Sequence, residues 1–434
     1  MHVTNDENNG SSISKAGETS PAATVKYLPL AQKLITIRAL PPKERMDRII
    51  SDPEARKVVD ALGPQEVYWL IKDIGESDAL ELLELCRPEQ QLFFLDMECW
   101  EKFEFSTAKF LEWLAYVLEG GDKKITDLLQ YLDMEFLTLC LMKTISVRAV
   151  VDDPATREER EVEWDHTFDD SYFISFKDAG HSSLIGRFID IIYRNNHPLY
   201  TSLMENVRAE IPREIEELSY QFRTGRLADL GFPAYEDAIS IFAYVDPATY
   251  TPTEEKKLYA GSGERNPDFP LRLYGDSLLK RALCAAESDE LQLEFNCLIN
   301  NAIAAEGRAP SDGEEVQAVF ERVHGYLNIA LEFLCGENEA KAVEILKKEQ
   351  LKRLFQVGRS VILSLRKTLQ GQDAENHSLS YATNKTLLGL KADHPRFYRG
   401  LDPDTVDGYR EFKDLDDIKK MELFLGKFAA KLFP

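Results

Sequence analysis

Short helices that restart at regular intervals constrain the fold of this chain more than any other feature. The three restarts read LPPKE from residue 40, LGPQE from residue 62 and CRPEQ from residue 86, so their third-position prolines lie 22 and then 24 residues apart. Proline fits the first turn of a helix, because its missing N–H has no partner to lose there. The sequence predicts a second short helix after residues 51–54 and another after 77–79, where Asp78 and Glu81 have capping-box spacing.

Each of these predicted helices has a single apolar face. Val67, Leu70, Ile71 and Ile74 follow the i, i+3, i+4, i+7 spacing of an amphipathic helix, and the same spacing recurs from Ala79. A pair of such helices cannot bury its apolar face alone, so pairs are expected to stack on one another. We therefore predict a helical-repeat superhelix over residues 25–146, preceded by a flexible tail at residues 1–24.

The repeated starts over roughly residues 40–145 resemble the cytosolic N-terminal domain of the MgtE-type magnesium transporters, whose repeats read L-x-P-E-E…L-L. This resemblance implies a superhelix of short helices and suggests a link to divalent cations. The best apolar run in the chain, residues 136–142, is much shorter than the about 20 residues that a transmembrane helix needs. We expect no transmembrane segment, and transport itself is excluded.

A short β element is predicted near residues 147–176. The strand-like runs are VRAVV from residue 147, EVEW from residue 161 and YFISF from residue 172, the last with Tyr172, Ile174 and Phe176 on one side. Between them, residues 152–170 hold nine acidic side chains and two basic ones. This acidic segment indicates either a solvated hairpin edge that discourages aggregation or a site for a divalent cation or a basic partner.

The rest of the chain is again helical in pattern. We predict a unit of strands and helices at residues 147–250, a loop or boundary at 251–270, and a C-terminal helical domain at 271–434. Residues 341–367 contain eight Lys or Arg and two Glu, with Phe355 as the single aromatic residue. Nucleic-acid binding needs stacking aromatics beside basic groups. This basic stretch is therefore expected to pack against the acidic surface of the protein itself.

Two further motifs carry a second resemblance. GRLADLGFP from residue 225 and LFQVG from residue 354 are similar to motifs of a bacterial family known as domain-of-unknown-function family 6178. The resemblance covers nearly the whole chain after the N-terminal tail. It implies one continuous architecture and no particular chemistry.

Charge and cysteine content restrict the class of function. The chain has 75 Asp and Glu against 52 Lys and Arg, a net charge of −23, which excludes a protein that coats nucleic acid or an anionic membrane. None of the six cysteines forms a C-x-x-C pair or has zinc spacing, so all six are expected to be buried free thiols. The N-terminus has neither the basic nor the apolar region of a secretory signal, which predicts a cytoplasmic protein.

Two short patterns have the letters of known catalytic or metal sites. GDSL from residue 275 spells the nucleophile block of the GDSL hydrolases, but its flanks are helical, so Asp276 or Ser277 is expected to cap a helix instead. Glu321 with His324, and Glu163 with His166, have the Glu-x-x-His spacing of di-iron bundles. The second pair lies in strand-like sequence, where i and i+3 do not share a face. His324 is expected at a helix surface or core edge.

The sequence therefore predicts a mainly α protein with no catalytic residue, no metal ligand, no cofactor and no identifiable cofactor-binding residue. We favour a non-catalytic scaffold or regulatory protein that binds a protein partner, not nucleic acid, through its helical-repeat surfaces. Trp69, Phe93, Phe94 and Trp100 are either exposed anchors for that partner or part of the core. The alternatives are a divalent-cation-sensing protein and an enzyme assembled from distant residues, whose sign would be a deep pocket lined by convergent Asp, Arg or His.

Overall fold

The structure is a computed structural model that describes residues 29–149, 165–253, 256, 276–367 and 380–432. Within these residues it contains twenty α-helices and three small antiparallel sheets, so the predicted mainly α class is confirmed. Short 3-10 helices of three or four residues occur at Ala179–His181, Ile239–Phe242 and Arg399–Leu401.

The first nine helices are short. They are α1 (Leu30–Arg38), α2 (Pro42–Ile50), α3 (Ala55–Asp60), α4 (Pro64–Ile74), α5 (Leu80–Leu85), α6 (Pro88–Glu98), α7 (Thr107–Glu119), α8 (Asp122–Leu128) and α9 (Met134–Thr144). The three predicted proline starts are confirmed, because α2, α4 and α6 each begin at the proline. The predicted capping box of α5 is wrong. The N–H groups of Asp78 and Ala79 both bond to the Gly75 carbonyl in a turn, and the helix begins one residue after Ala79.

Alternate helices of this N-terminal part pack together. Helix α4 contacts α2 and α6, α6 contacts α8, and on the other side α5 contacts α3 and α7. The four aromatic residues considered as anchors, Trp69, Phe93, Phe94 and Trp100, are all buried between these helices. They belong to the core and are not an exposed docking surface, because each lies on a helix or strand face that a neighbouring element covers.

The predicted β element is a three-stranded antiparallel sheet of β3 (Ile145–Ala149), β4 (His166–Thr167) and β5 (Tyr172–Phe176), in the order β3-β5-β4. Its register places Ile145 opposite Phe176, and its first strand begins two residues before the predicted one. The predicted strand at 161–164, and most of the acidic segment 152–170, lie outside the described residues. A separate two-stranded hairpin joins β1 (Trp100–Glu101) to β2 (Glu104–Phe105).

The remaining elements complete a helical body. They are α10 (Ser182–Asn195), α11 (His197–Ala209), α12 (Pro212–Asp229), α13 (Tyr235–Ala238), α14 (Leu278–Ala286), α15 (Asp289–Ala305), α16 (Gly313–Cys335), α17 (Glu339–Lys348), α18 (Leu351–Lys367), α19 (Tyr381–Lys391), β6 (Phe397–Tyr398), β7 (Tyr409–Arg410) and α20 (Leu415–Leu432). Helix α16 is central to this body, since it contacts α14, α15, α17, α18 and α20, and also α4 of the N-terminal part.

Two glycines let other backbone segments approach α16 closely. A Cβ on Gly358 of α18 would lie 1.8 Å from the Tyr326 carbonyl oxygen, and a Cβ on Gly325 would lie 1.8 Å from the Phe412 carbonyl oxygen. Any side chain larger than hydrogen would therefore separate the paired segments. The LFQVG motif thus contains the glycine that sets the α16–α18 distance.

The GRLADLGFP motif joins the N-terminal helices to the C-terminal body. The Arg226 guanidinium donates to both carboxylate oxygens of Asp96 at 2.8 and 2.7 Å. The Leu230 carbonyl accepts from Gln65 Nε2 at 2.9 Å and from Asn300 Nδ2 at 3.2 Å. One continuous apolar core runs through helices on both sides of this junction. The predicted boundaries at 146/147, 250/251 and 270/271 stay predictions.

Candidate functional site

A pocket of about 690 Å³ lies between the start of α14, one face of α16 and the segment that leads from β7 into α20. Its volume falls in the range typical of small-molecule sites, roughly 300–1,000 Å³. The side chains that line it are Asp276, Ser277, Leu278, Arg281, Gln317, Phe320, Glu321, His324, Asn328, Glu332, Glu337, Glu411, Lys413, Asp414, Leu415, Asp416 and Lys419.

The start of α14 forms the first wall. Ser277 is its N-cap residue, as expected from the sequence, and its Oγ accepts the Lys280 N–H at 3.1 Å. The N–H of Leu279, in the same first turn, donates to Asn328 Oδ1 of α16 at 3.1 Å. The two bonds fix the end of α14 against α16.

Helix α16 brings His324 to this end of α14. Its Nε2 lies 3.0 Å from Ser277 Oγ. When the ring proton resides on Nδ1, the Ser277 hydroxyl donates to Nε2 while Oγ still accepts the Lys280 N–H; in the other tautomer Nε2 donates to Oγ. Burial, and then the charge of Lys280, lower the pKa of His324 to about 4. The imidazole is therefore neutral near pH 7, as an acceptor at Nε2 requires.

The third wall is the segment from Glu411 to Leu415. Hydrogen bonds of two α16 side chains hold this segment against the helix. Asn328 Nδ2 donates to the Lys413 carbonyl at 2.9 Å and to Glu332 Oε1 at 2.7 Å. The Leu415 N–H donates to Glu332 Oε2 at 2.7 Å. Asn328 thus holds both α14 and this segment, while Glu332 receives the N–H at the start of α20.

The pocket is acidic, with seven carboxylates and three basic side chains on its walls. Burial, and then the negative charges of Asp414 and Glu337, raise the pKa of Glu332, although its two hydrogen bonds lower it. Glu411 is 4% exposed; its Oε1 is 3.3 Å from Arg322 Nη2, and its Oε2 has no hydrogen-bond partner. Burial raises the pKa of Glu411 more than Arg322 lowers it. Arg322 and, at 3.9 Å, Arg396 face Glu411, whereas both donors to Glu332 are neutral.

The structure places Glu321 and His324 on the wall of the same pocket, one helical turn apart. Within the described ranges, however, no group of three or more His, Cys, Asp or Glu is arranged to hold a metal ion. Glu163 of the second Glu-x-x-His pair lies outside those ranges. An Asp-x-x-His pair is also present: His181 Nδ1 lies 2.6 Å from Asp178 Oδ2, on an exposed turn that does not line the pocket.

The cysteines are less uniformly buried than predicted. Cys86, Cys99 and Cys140 are buried free thiols, and burial raises the pKa of Cys86 to about 12. The prediction is wrong for the other three. Cys284 is exposed on α14, Cys297 is partly buried, and Cys335 is partly buried and packs against the core.

Sequence reasoning named Ser277 and His324 separately and did not bring them together. They are 47 positions apart and meet because α14 packs on α16, which no local spacing indicates. Glu332, Glu411 and Asn328 were missed. The sequence around these three residues has the polar pattern of an ordinary exposed helix face or loop, and no signal in it distinguishes them from other polar residues.

The described residues define a mainly α-helical protein with small antiparallel sheets and an acidic pocket between helices. The family model described as Family of unknown function (DUF6178) matches residues 22–432, and the chain belongs to this family. No curated protein and no solved structure matches the chain. The likeness to the MgtE domain stays a prediction. None of the helices described is both long and apolar enough to span a membrane.

Proposed function

We propose that the protein is a ligand-binding protein whose acidic pocket takes up a small organic cation. The observation that carries the proposal is the state of Glu332. Both hydrogen-bond donors to its carboxylate are neutral N–H groups, and the negative charges of Asp414 and Glu337 raise its pKa, with Lys419 as a nearby cation. Carboxylates held together in this way are stabilised by a bound cation.

Glu411 supports the same proposal, because it adds to the pocket wall a further carboxylate whose pKa is raised by burial. A ligand that donates N–H groups and carries positive charge matches such a wall. An ammonium group offers three such donors and a positive charge. An organic cation suits this pocket better than a metal ion, because the carboxylates of the described residues do not converge on one point. The divalent-cation-sensing alternative stays a prediction.

Calorimetric titration with putrescine, and with its neutral analogue 1,4-butanediol, tests the proposal on the full chain. We expect putrescine to bind and the diol to give no heat, because the two differ in charge but hardly in shape. Glu332→Gln should weaken putrescine binding about tenfold, the equivalent of about 1.4 kcal/mol. The matched control is Glu344→Gln, which removes the same charge from an exposed pair with Lys348 on α17.

Two results would contradict the proposal. One is equal binding of putrescine and the diol, which would show that charge is not recognised. The other is equal weakening by Glu332→Gln and Glu344→Gln, which would assign the effect to the overall charge of the protein. Thermal unfolding of each variant checks that Glu332→Gln still folds.

Binding of a protein partner, the function favoured from the sequence, is a second candidate, at a different surface. Leu218 and Phe222 lie one turn apart on α12 and Ile211 precedes its first residue; Ile211, Leu218 and Phe222 are 55%, 42% and 45% exposed. A row of exposed apolar side chains at this spacing suits an apolar helix face of another protein.

Affinity purification from native lysate tests this second candidate. A protein that binds the row of apolar side chains on α12 should be enriched by the wild type and by the Leu423→Ser variant, which changes an exposed leucine on α20 instead. It should be lost from Leu218→Ser/Phe222→Ser. Equal recovery with both variants would exclude the row on α12 as the docking surface.

A further inference from the structure

The pocket wall holds a serine hydroxyl in contact with a neutral imidazole, and neither group is used by cation binding. We propose that Ser277 is a nucleophile, activated by His324, that forms a covalent acyl intermediate with esters entering the pocket. For its substrate class the inference rests on the proposed function: the acidic walls favour esters whose alcohol part carries a positive charge.

The geometry of the pair fits proton transfer from serine to histidine. Ser277 Oγ and His324 Nε2 are 3.0 Å apart, within the roughly 2.6–3.2 Å expected between a nucleophile and its base. Helix capping alone does not need this contact. Ser288 caps α15 by accepting the Leu291 N–H at 3.3 Å, as Ser277 caps α14 by accepting the Lys280 N–H. Ser277 differs in having an imidazole nitrogen within hydrogen-bond distance of its hydroxyl, which accepts the hydroxyl proton in the Nδ1–H tautomer.

The position of Ser277 at the start of α14 favours negative charge on its oxygen. This helix has nine residues, and the partial positive charge of its N-terminus lies at Oγ. The Lys280 N–H, which donates to Oγ, remains a donor to the alkoxide as the hydroxyl proton leaves. Serines at such helix starts are stabilised in the ionised form relative to serines on a helix surface.

The reaction has two stages, acylation of Ser277 and hydrolysis of the acyl intermediate. In the first, Oγ forms a bond to the acyl carbon, its proton moves to Nε2, and the bond from the acyl carbon to the alcohol oxygen breaks as Nε2 returns the proton to that oxygen. In the second, water gives a proton to Nε2 and its oxygen bonds to the acyl carbon. The Oγ–acyl bond then breaks, and the proton returns to Oγ. The products are an acid and an alcohol.

A fluorophosphonate probe tests the nucleophile directly. Oγ forms a bond to phosphorus, fluoride leaves and the proton moves to His324, so one labelled peptide containing Ser277 is expected by mass spectrometry. Ser277→Asn keeps a capping side chain but removes the hydroxyl, and labelling should be lost. His324→Gln should slow labelling about 100-fold, as for loss of a general base. Ser288→Ala removes a cap elsewhere and should label like the wild type.

The pH profile gives a readout that a structural role would not produce. With the pKa of His324 at about 4, the labelling rate should be constant across pH 6–8 and fall as the pH approaches 4, where the imidazole takes up a proton. Labelling of Ser277 with loss in Ser277→Asn supports the inference. An unlabelled wild type, or equal labelling of wild type and Ser277→Asn, overturns it.

Separate measurements test the proposed function and this inference, so either can be contradicted without the other. Putrescine binding, measured by calorimetry, does not require the hydroxyl, so Ser277→Asn should still bind it. Binding without labelling overturns the nucleophile and leaves the ligand-binding function standing. Labelling that putrescine does not slow would support the nucleophile but contradict the assignment of cationic substrates.

Discussion

The imidazole of His324 makes the stability of the fold depend on pH. Its pKa is about 4 in the folded protein, against about 6.5 in an unfolded chain. As the pH falls below about 6.5 the unfolded chain takes up a proton that the folded one does not. The folded state therefore loses stability between about pH 6.5 and pH 4, and the contribution is fully present above that window.

Replacing His324 tests this dependence. Between pH 7 and pH 5 the wild type should lose about 2 kcal/mol more unfolding free energy than His324→Gln, because the glutamine does not titrate. Urea denaturation at the two pH values measures the difference. His197→Gln, which removes an exposed histidine at the start of α11, is the control and should follow the wild type. Equal pH dependence of all three proteins would show that His324 is not buried as a neutral group.

The residues of the site show what local sequence can and cannot predict. The capping role of Ser277 follows from its own neighbours and was predicted. Its contact with His324 depends on a crossing of two helices that are far apart in sequence. The same holds for Glu332, whose partner Leu415 is 83 positions away.

Among the elements, helix starts were predicted best. Proline at the first position leaves no unpaired N–H and has a helical φ, so α2, α4 and α6 begin where the sequence indicates. The start of α5 was misjudged because a turn at Gly75 competes with the capping box for the same N–H groups. Strand β3 was placed two residues late, since its first residue, Ile145, continues the apolar pattern of α9.

The crossing of α16 and α18 gives a test at this scale. Gly358→Ala should lower the unfolding free energy by about 2–4 kcal/mol, because its Cβ would lie 1.8 Å from the Tyr326 carbonyl oxygen and the helices must separate. Gly225→Ala is the matched control, since no atom lies within 4 Å of its Cβ inside α12. It should stabilise by about 0.5–1 kcal/mol. Chemical denaturation measures both, and similar values would contradict close packing at Gly358.

The charges of the whole molecule were predicted in outline but not in detail. The basic stretch 341–367 was expected to pack against an acidic surface, but in the described residues the carboxylates that pair with it are Glu344 and Glu349 of the stretch itself. Its partners elsewhere include backbone carbonyls: Arg359 donates to the Phe242 carbonyl at 2.7 Å and Arg366 to the Leu390 carbonyl at 2.6 Å. A sequence shows the sign of a side chain but not which helix C-terminus or loop carbonyl lies within its reach.

The ion pair of Arg226 with Asp96 tests how the halves of the molecule are coupled. Burial raises the pKa of Asp96, although Arg226 lowers it, so removal of the guanidinium leaves the buried carboxylate without its hydrogen-bonded partner and with Arg223 as the remaining cation. Arg226→Met should cost about 3–5 kcal/mol, and adding Asp96→Asn should recover part of it. Lys348→Met, which breaks an exposed pair, should cost at most about 1 kcal/mol. A small effect of Arg226→Met in urea denaturation would contradict tight coupling.

The carbonyl of Leu230, which receives one side-chain amide from each half of the chain, has a practical consequence for deletion mapping. A fragment starting at residue 147 would lose Gln65 and Asp96, leaving Arg226 without its carboxylate and uncovering the face of Phe232 that contacts Phe93. Loss of a binding activity in such a fragment would report unfolding, not a deleted binding surface. Interaction sites on this protein have to be mapped by point substitutions in the intact chain.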